Sequence, residues 1–424
     1  MRFRWCACAV VLQAVVLAAA CLPAAARAQE VVDIEEALRE ARVHNARLPV
    51  AAFDTSMAEA GVREASGRLW PSVGVGGHLH GGAPSRYASG DGRLQLLLDV
   101  PLYAGGALRA DVRRARADRA VTSARYRVAV RDVDLEVRLR FTQALALQDE
   151  IALRRRGLER LGRYVDLIGA RQRSGEPVTG DLLKARVRRE RQQADLEVAR
   201  RGFADAMLEL EDLLGREPGD SLVLAPLPEP APPGAAGERP WEEAPDVRAA
   251  VSAEKSAAAS IDAVRADRRP HLDLALNAGT EPVIGGSFEA PLNTGRGSGA
   301  EVTLTLAWPL WDNGVYSGRL QAAQLASRKA QAESEVARRQ ARLGWTRARA
   351  ELDHLYREIG VRRRAVPSAE DAWLQMESLY RGGDATSLEV LDAFDEWVQA
   401  GLDALGATLE YRAAEARALR WGGS

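Results

Sequence analysis

The sequence predicts a mainly α chain with a membrane β-barrel part, written as two structural repeats of helix–strand–strand–long helix–helix. Three observations carry this. Landmarks recur at one fixed offset, the stretches between them keep their length, and four short segments alternate with period two. Pro101-Leu102-Tyr103-Ala104-Gly105-Gly106 returns 208 residues later as Pro309-Leu310-Trp311-Asp312-Asn313-Gly314. Gly175-Glu176-Pro177-Val178-Thr179-Gly180-Asp181-Leu182-Leu183-Lys184-Ala185 returns at the same offset, 208, as Gly383-Asp384-Ala385-Thr386-Ser387-Leu388-Glu389-Val390-Leu391-Asp392-Ala393. The intervals 106 to 175 and 314 to 383 are both 69 residues.

Residues 1–28 read as a secretory signal peptide. Arg2 and Arg4 precede an apolar run from Cys6 to Leu22, and Ala26-Arg27-Ala28 sets small residues at the two positions a signal peptidase reads. Lipidation at Cys21 is the alternative, with Ala18-Ala19-Ala20 a poor lipobox. Cleavage removes Arg2, Arg4 and Arg27, taking the formal net charge from −1 to −4, and removes all three cysteines, Cys6, Cys8 and Cys21. A thiol-free mature chain holds neither a disulfide nor a cysteine metal site.

With 424 residues, 46% hydrophobic and 28% charged, the chain is neither a disordered polymer nor a small disulfide scaffold. Its near-neutral charge gives no electrostatic case for nucleic acid. Only three of the 58 basic residues are lysine, an arginine skew that goes with the alanine content as a GC-rich coding background. Beyond the signal peptide no run of about 18 apolar residues predicts a membrane helix.

The first repeat, 29–215, opens with a helix over about 33–67. Its long helix follows Gly106, because residues 107–174 lack proline and carry only three glycines. Val130, Val133 and Val137, then Leu158, Leu161, Val165 and Ile168, follow the 3-4 spacing of an amphipathic seam. At 1.5 Å per residue such a helix spans roughly 100 Å, which predicts an elongated molecule. A tip at 175–181 turns it back into a helix over about 179–215, capped by Thr179, with Asp181 favoured in the first turn. Segment 216–245 carries eight prolines and reads as a linker or equatorial girdle.

The second repeat, 246–424, predicts a helix over about 246–268 and a long helix over 315–381 with one interruption at Pro367. A tip at 382–389 leads into a last helix over about 386–420, where Thr386 and Glu389 read as a capping box.

Strands are predicted at about 72–80, 93–103, 271–280 and 300–311. Val73, Val75 and Leu79 alternate with Gly74, Gly76, His78 and His80, and Leu94, Leu96, Leu98, Val100 and Leu102 with Arg93, Gln95, Leu97, Asp99 and Tyr103. In the second pair, Leu272, Leu274, Leu276 and Ala278 alternate with His271, Asp273, Ala275 and Asn277. Val302, Leu304, Leu306, Trp308 and Leu310 alternate with Glu301, Thr303, Thr305, Ala307 and Trp311. Such alternation suits an outer-membrane barrel, with Trp70, Tyr103, Trp308 and Trp311 as interfacial aromatics at the helix-proximal ends. A soluble hairpin fits each pair taken alone; the signal peptide and the helix length favour the barrel. Four strands leave two open edges, which lipid does not tolerate, so several copies must pool their strands.

The Pro-Leu-aromatic-x-x-Gly strand ends at 101–106 and 309–314, and the stretch from Tyr380 to Ala393, resemble the TolC family of outer-membrane efflux proteins. The resemblance covers about residues 33–420. It implies a homotrimer with one twelve-stranded barrel in outer-membrane lipid and a periplasmic α-helical tunnel. It also implies partners: a periplasmic adaptor (membrane fusion protein) and an inner-membrane transporter, in a tripartite pump or type I secretion system. The tips, with Gly175, Thr179 and Asp181 in one and Gly383 and Thr386 in the other, would form the gate.

The resemblance makes Glu389 and Asp392 an acidic ring at the periplasmic constriction; the residues alone equally fit carboxylates favoured at a helix N-terminus. Asp181 matches a family latch position, or is a solvated turn residue, and Ala385 and Gly180 depart from the family pattern. His78-x-His80 offers two metal ligands without an evident third, or two polar residues at the end of a strand. No enzyme motif, cofactor or metal site is predicted. The competing reading is a periplasmic adaptor or coiled-coil scaffold without its own pore; two hairpins and two strand pairs weigh against it.

Overall fold

A computed structural model describes residues 30–82, 89–219, 222–234, 240–285 and 293–421. The predicted signal peptide, 1–28, with Cys21, lies outside the described residues, as do the side chains of His78 and His80. The chain forms two compact units, and both draw on both repeats.

The first unit comprises the chain up to Asn45, Asp132–Gly234 and Ala348–Arg417. It opens on β1 (Glu30–Val32) and α1 (Ile34–His44), whose N-cap Asp33 accepts from Glu36 N–H at 2.7 Å. α1 stops at Asn45 instead of running on to residue 67: Asn45 is extended, and its buried amide donates to the Leu213 carbonyl at 2.9 Å. The unit also holds the distal parts of α3 (Ala107–Arg173) and α6 (Val315–Gly382), with α4 (Thr179–Leu214) and α7 (Ser387–Trp421) returning beside them.

Its core joins all four helices. Leu161, Tyr164, Val165 and Ile168 of α3 meet Leu182 of α4, Trp373 and Tyr380 of α6, and Val390, Phe394 and Trp397 of α7. Pro367 does not interrupt α6, which runs through it. Proline removes one backbone donor and crowds the carbonyl four residues back, and burial of Trp373, six residues onward, against Phe394 and Trp397 of α7 offsets this.

The Pro-rich segment is more than a linker. β4 (Leu222–Leu224) pairs in parallel with β1, a ladder too short to register as a period in sequence. Tyr411 Oη donates to the Ala231 carbonyl at 2.6 Å and Arg349 to that of Pro233 at 3.1 Å. A proline-rich chain has few N–H groups to form ladders, so side chains satisfy its carbonyls instead.

The second unit comprises Ala46–Arg131, Ala235–Arg347 and the chain from Ala418. It holds α2 (Arg47–Gly67), α5 (Pro245–Ala266) and one antiparallel sheet in the order β2–β3–β5–β6. The strands are β2 (Ser72–Gly82), β3 (Ser89–Ala104), β5 (His271–Gly285) and β6 (Asn293–Ala307). Strand leads into long helix through equivalent left-handed turns, Gly105-Gly106 and Asn313-Gly314, with φ of 59° and 54° at the first position. Asparagine tolerates that conformation; at Gly105 a Cβ would also lie 2.6 Å from Arg269.

Candidate functional site at the hairpin tips and on the sheet

At the first tip α3 closes on Gly175 (φ 96°), and Arg171 organises the turn into α4. Its Nε donates to Glu176 Oε2 at 2.7 Å, its Nη1 donates to the Tyr380 carbonyl at 2.7 Å, and its guanidinium lies 5.0 Å from the Tyr380 ring centre. One side chain therefore ties the first tip to the end of α6. Thr179 is not the cap that the sequence predicts. The helix begins on it, Val178 is the N-cap without a side-chain bond, and Thr179 Oγ1 accepts from Gln172 Nε2 at 3.1 Å. The start is set by Val178, whose carbonyl already accepts from Leu182 N–H, so the threonine falls one position inside.

The second tip turns at Gly383 (φ 89°), with Asp384 N–H reaching back to the Leu379 carbonyl at 2.9 Å. Thr386 and Glu389 form the predicted capping box: Thr386 N–H donates to Glu389 Oε2 at 2.7 Å, and Glu389 N–H to Thr386 Oγ1 at 3.4 Å. The Thr386 N–H and the Thr386 hydroxyl, which donates to the same Oε2 at 2.9 Å, hold the exposed Glu389 carboxylate below its ordinary range. Asp392, one turn on, is also exposed.

Between the tips lies a buried tyrosine pair. Tyr164 Oη and the Ser387 hydroxyl are 3.2 Å apart, whereas Tyr380 Oη, also buried, has no partner in hydrogen-bond geometry among the described residues, Asp181 being the carboxylate that acts on it. Burial raises both phenols above the ordinary tyrosine range, and half-buried Asp181 adds to the effect on each. Farther along the hairpins, Arg160 lies 4.3 Å from the Trp397 ring centre and 5.1 Å from that of Trp373, and is ion-paired with Glu370. Arg188 of α4 pairs with Asp395 of α7 at 2.7 Å. Burial nevertheless raises the Asp395 carboxyl, with Arg188 opposing and Asp392 adding to the rise. Sequence reasoning missed Arg171, Tyr164 and Ser387, because each joins partners more than 200 residues apart.

In the sheet, apolar rows run across all four strands. Val73, Leu98, Leu276 and Val302 stand in register, and Val100, Leu274 and Leu304 form the next row. Val73 is 69% exposed and Val302 64%, so this face is greasy and uncovered in the single chain. The opposite face carries Asp99, Gln95, Asn277, Glu301 and Thr303. Trp70, Tyr103, Trp308 and Trp311 are all exposed at the strand ends next to the helices.

Two details depart from the predicted alternation. A bulge between Pro101 and Tyr103 moves Tyr103 out of the polar set and opposite Leu272. β6 ends at Ala307, not at 311, so Trp308 and Trp311 lie beyond the strand. Among the described residues no three His, Asp or Glu side chains gather to hold a metal, and no helix is long and apolar enough to cross a membrane.

The profile of the outer membrane efflux protein family matches residues 37–216 and 240–420. Protein CyaE of Bordetella pertussis is 25% identical over 315 residues, 70% of this chain and 64% of CyaE. The match thus spans less than two thirds of that relative. A membrane protein from Pseudomonas aeruginosa superposes with a TM-score of 0.82 at 22% identity, covering 94% of this chain and 97% of its own. The outer membrane protein VceC from Vibrio cholerae gives 0.78 at 19% identity, covering 92% and 96%. The open-state outer membrane channel MtrE of Neisseria gonorrhoeae gives 0.78 at 21%, covering 92% and 88%.

Proposed function

The chain belongs to the outer membrane efflux protein family, and from that premise we propose that it is the outer-membrane exit duct of a tripartite efflux pump or type I secretion system. It passively conducts small molecules or a secreted substrate delivered by an inner-membrane transporter through a periplasmic adaptor. Three copies pool their strands into one twelve-stranded barrel in outer-membrane lipid, and their helices form the periplasmic tunnel. The observation that carries this reading is the sheet: apolar rows four strands wide, uncovered on one face, between edges β2 and β6 that each have one neighbour among the described residues. Lipid covers such a face only when the edges are closed, and association closes them.

In this reading Trp70, Tyr103, Trp308 and Trp311 sit at the membrane interface. Glu389 and Asp392 of three copies ring the periplasmic mouth, and the tips with Gly175, Thr179, Asp181, Gly383 and Thr386 form the gate. No catalysis is assigned to the chain. Cell fractionation tests it. The mature protein is expected in the outer membrane, soluble only in detergent, and migrating as an oligomer that heat dissociates. A water-soluble periplasmic monomer would overturn it in favour of a scaffold without a pore.

A further inference from the structure

The two repeats within one chain carry a template for the junction between chains. β3 and β6 are equivalent through Pro101 and Pro309, 208 residues apart; β2 and β5 are equivalent through Pro71 and Pro270, 199 apart, each just before its strand. Under those offsets the two hairpins have one register. Ser72 pairs with Asp99, and their counterparts His271 and Ala307 pair in turn. The junction β3–β5 joins the last strand of one repeat to the first strand of the next. In a barrel of several copies, β6 meets β2 of the next copy in the same relation.

The β3–β5 register is Val100 to Leu274, Pro101 to Asp273, Tyr103 to Leu272 and Ala104 to His271, with Leu102 bulged out. Carried over by the two offsets, it sets Trp308 opposite Val75, Pro309 opposite Gly74, Trp311 opposite Val73 and Asp312 opposite Ser72, with Leu310 bulged. Two independent observations agree with this register. The first is parity. Leu304 and Leu306 lie on the apolar face of β6, and Val73 and Val75 on the apolar face of β2. The register joins those faces, whereas a slip of one residue would set Trp308 and Trp311 against the Ser72, Gly74 and Gly76 face of β2.

The second is where the strands stop. β3 runs to Ala104, but its β2 pairing ends at Asp99, so Val100–Ala104 is held by β5 alone. The counterpart of that stretch is Trp308–Asp312, and it is outside any strand. Nearly the same Pro-Leu-aromatic sequence is ordered as strand where a neighbour exists and left irregular where only a second copy would supply one.

We infer that on assembly Trp308–Asp312 extends β6 along β2 of a second copy of this chain, with Trp308 facing Val75 and Trp311 facing Val73 across the subunit boundary. The aromatic band then continues over the seam. The inference rests on the shared-barrel reading and adds the register that reading leaves open.

Cysteine cross-linking tests it, because all three native cysteines lie at or before residue 21. Strand neighbours oxidise to a disulfide, whereas Cα atoms more than about 7 Å apart do not. The full chain carrying W308C/V75C, or W311C/V73C, is expected to give reducible multiples of the chain mass after mild oxidation. Their yield should exceed that of the crossed pairs W308C/V73C and W311C/V75C, built from the same four positions, by at least roughly tenfold. Each variant is first checked as a heat-sensitive oligomer in the outer membrane, and if one pair fails to assemble the other decides. Assembled variants that favour the crossed pairs, or cross-link in neither set, overturn the register. L310C/V73C outrunning W311C/V73C removes the bulge at the seam. Failure of the unsubstituted chain to form an oligomer overturns the exit-duct reading itself.

Discussion

Tyr164 and Tyr380 meet edge to face, ring centres 5.4 Å apart and planes at 63°, although 216 residues separate them in the chain. Their hydroxyls differ: that of Tyr164 reaches buried Ser387, and that of Tyr380 is buried without a partner among the described residues. The same substitution should therefore have opposite signs at the two positions. Tyr164→Phe orphans the Ser387 hydroxyl and should destabilise the detergent-solubilised protein by about 1 kcal/mol. Tyr380→Phe deletes an unsatisfied polar group and should be neutral or stabilising by about 1 kcal/mol. Denaturant midpoints of the two variants should move apart, and a shared loss would show that Tyr380 Oη does bond in solution.

Arg171 is the next point of stress. Removing it leaves the Glu176 carboxylate and the Tyr380 carbonyl without their charged donor. Arg171→Ala should loosen the first tip locally by about 1.5–3 kcal/mol, the range for hydrogen bonds to charged groups. Limited proteolysis should then cut within 174–178 at a higher rate while the sheet stays intact. Arg171→Lys should rescue little, since an ammonium cannot reproduce the guanidinium's fork and ring stacking together.

Much of this architecture is legible in sequence because it is periodic. The seam of Leu161, Val165 and Ile168 and the alternation of Leu272, Leu274 and Leu276 along β5 each come from spacing within one element, whereas the register that lines up Val73, Leu98, Leu276 and Val302 does not. The features that stayed hidden depend on partners distant in sequence. Pro101 and Pro309 have almost the same neighbours, yet one lies in a strand and the other does not, because only β3 is flanked by β5 at that point. Thr179 and Thr386 are both threonines after a glycine turn. Only Thr386 caps: both helices start four residues after the glycine, so Thr386, three residues after Gly383, precedes its helix and has a glutamate three positions on, whereas Thr179, four after Gly175, already lies inside. Arg171 carries no local signal at all.

Gly279 tests the seam between repeats inside the chain. A Cβ there would lie 2.4 Å from the Leu94 carbonyl oxygen and 3.0 Å from the Gln95 Cα, and backbone cannot swing aside as a side-chain tip does. Gly279→Ala should cost about 1–3 kcal/mol by overpacking and lower the yield of heat-sensitive oligomer on gels.

Protonation of Glu389 gives a pH dependence with a definite sign. The Thr386 N–H and hydroxyl bonds lower its folded pKa, so the cap's contribution is complete above the unfolded value of about 4.3 and is lost as pH falls through the lower folded value. Amide protection at the first turn of α7, measured against the intrinsic exchange rate at each pH, should therefore fall on acidification below that range. Glu389→Gln, which keeps an acceptor for Thr386 without a titrating proton, should flatten the response.

The capping box also decides how the acidic mouth must be tested. If Glu389 and Asp392 of three copies ring the pore, six carboxylates attract cations and repel anions, and a multivalent cation blocks the mouth. Alanine at both positions should weaken cation selectivity in planar-bilayer conductance, but alanine at 389 also removes the cap and so alters the tip as well as its charge. Glu389→Gln with Asp392→Asn removes the charge and retains an acceptor for Thr386. Thr386→Val makes the reverse change, deleting the hydroxyl half of the cap while both carboxylates stay. A ring predicts that the amide pair shifts the reversal potential toward zero in a salt gradient and relieves block by a divalent cation, while Thr386→Val does neither. Unchanged selectivity in the amide pair would leave the two carboxylates as helix-terminus residues with no part in conduction.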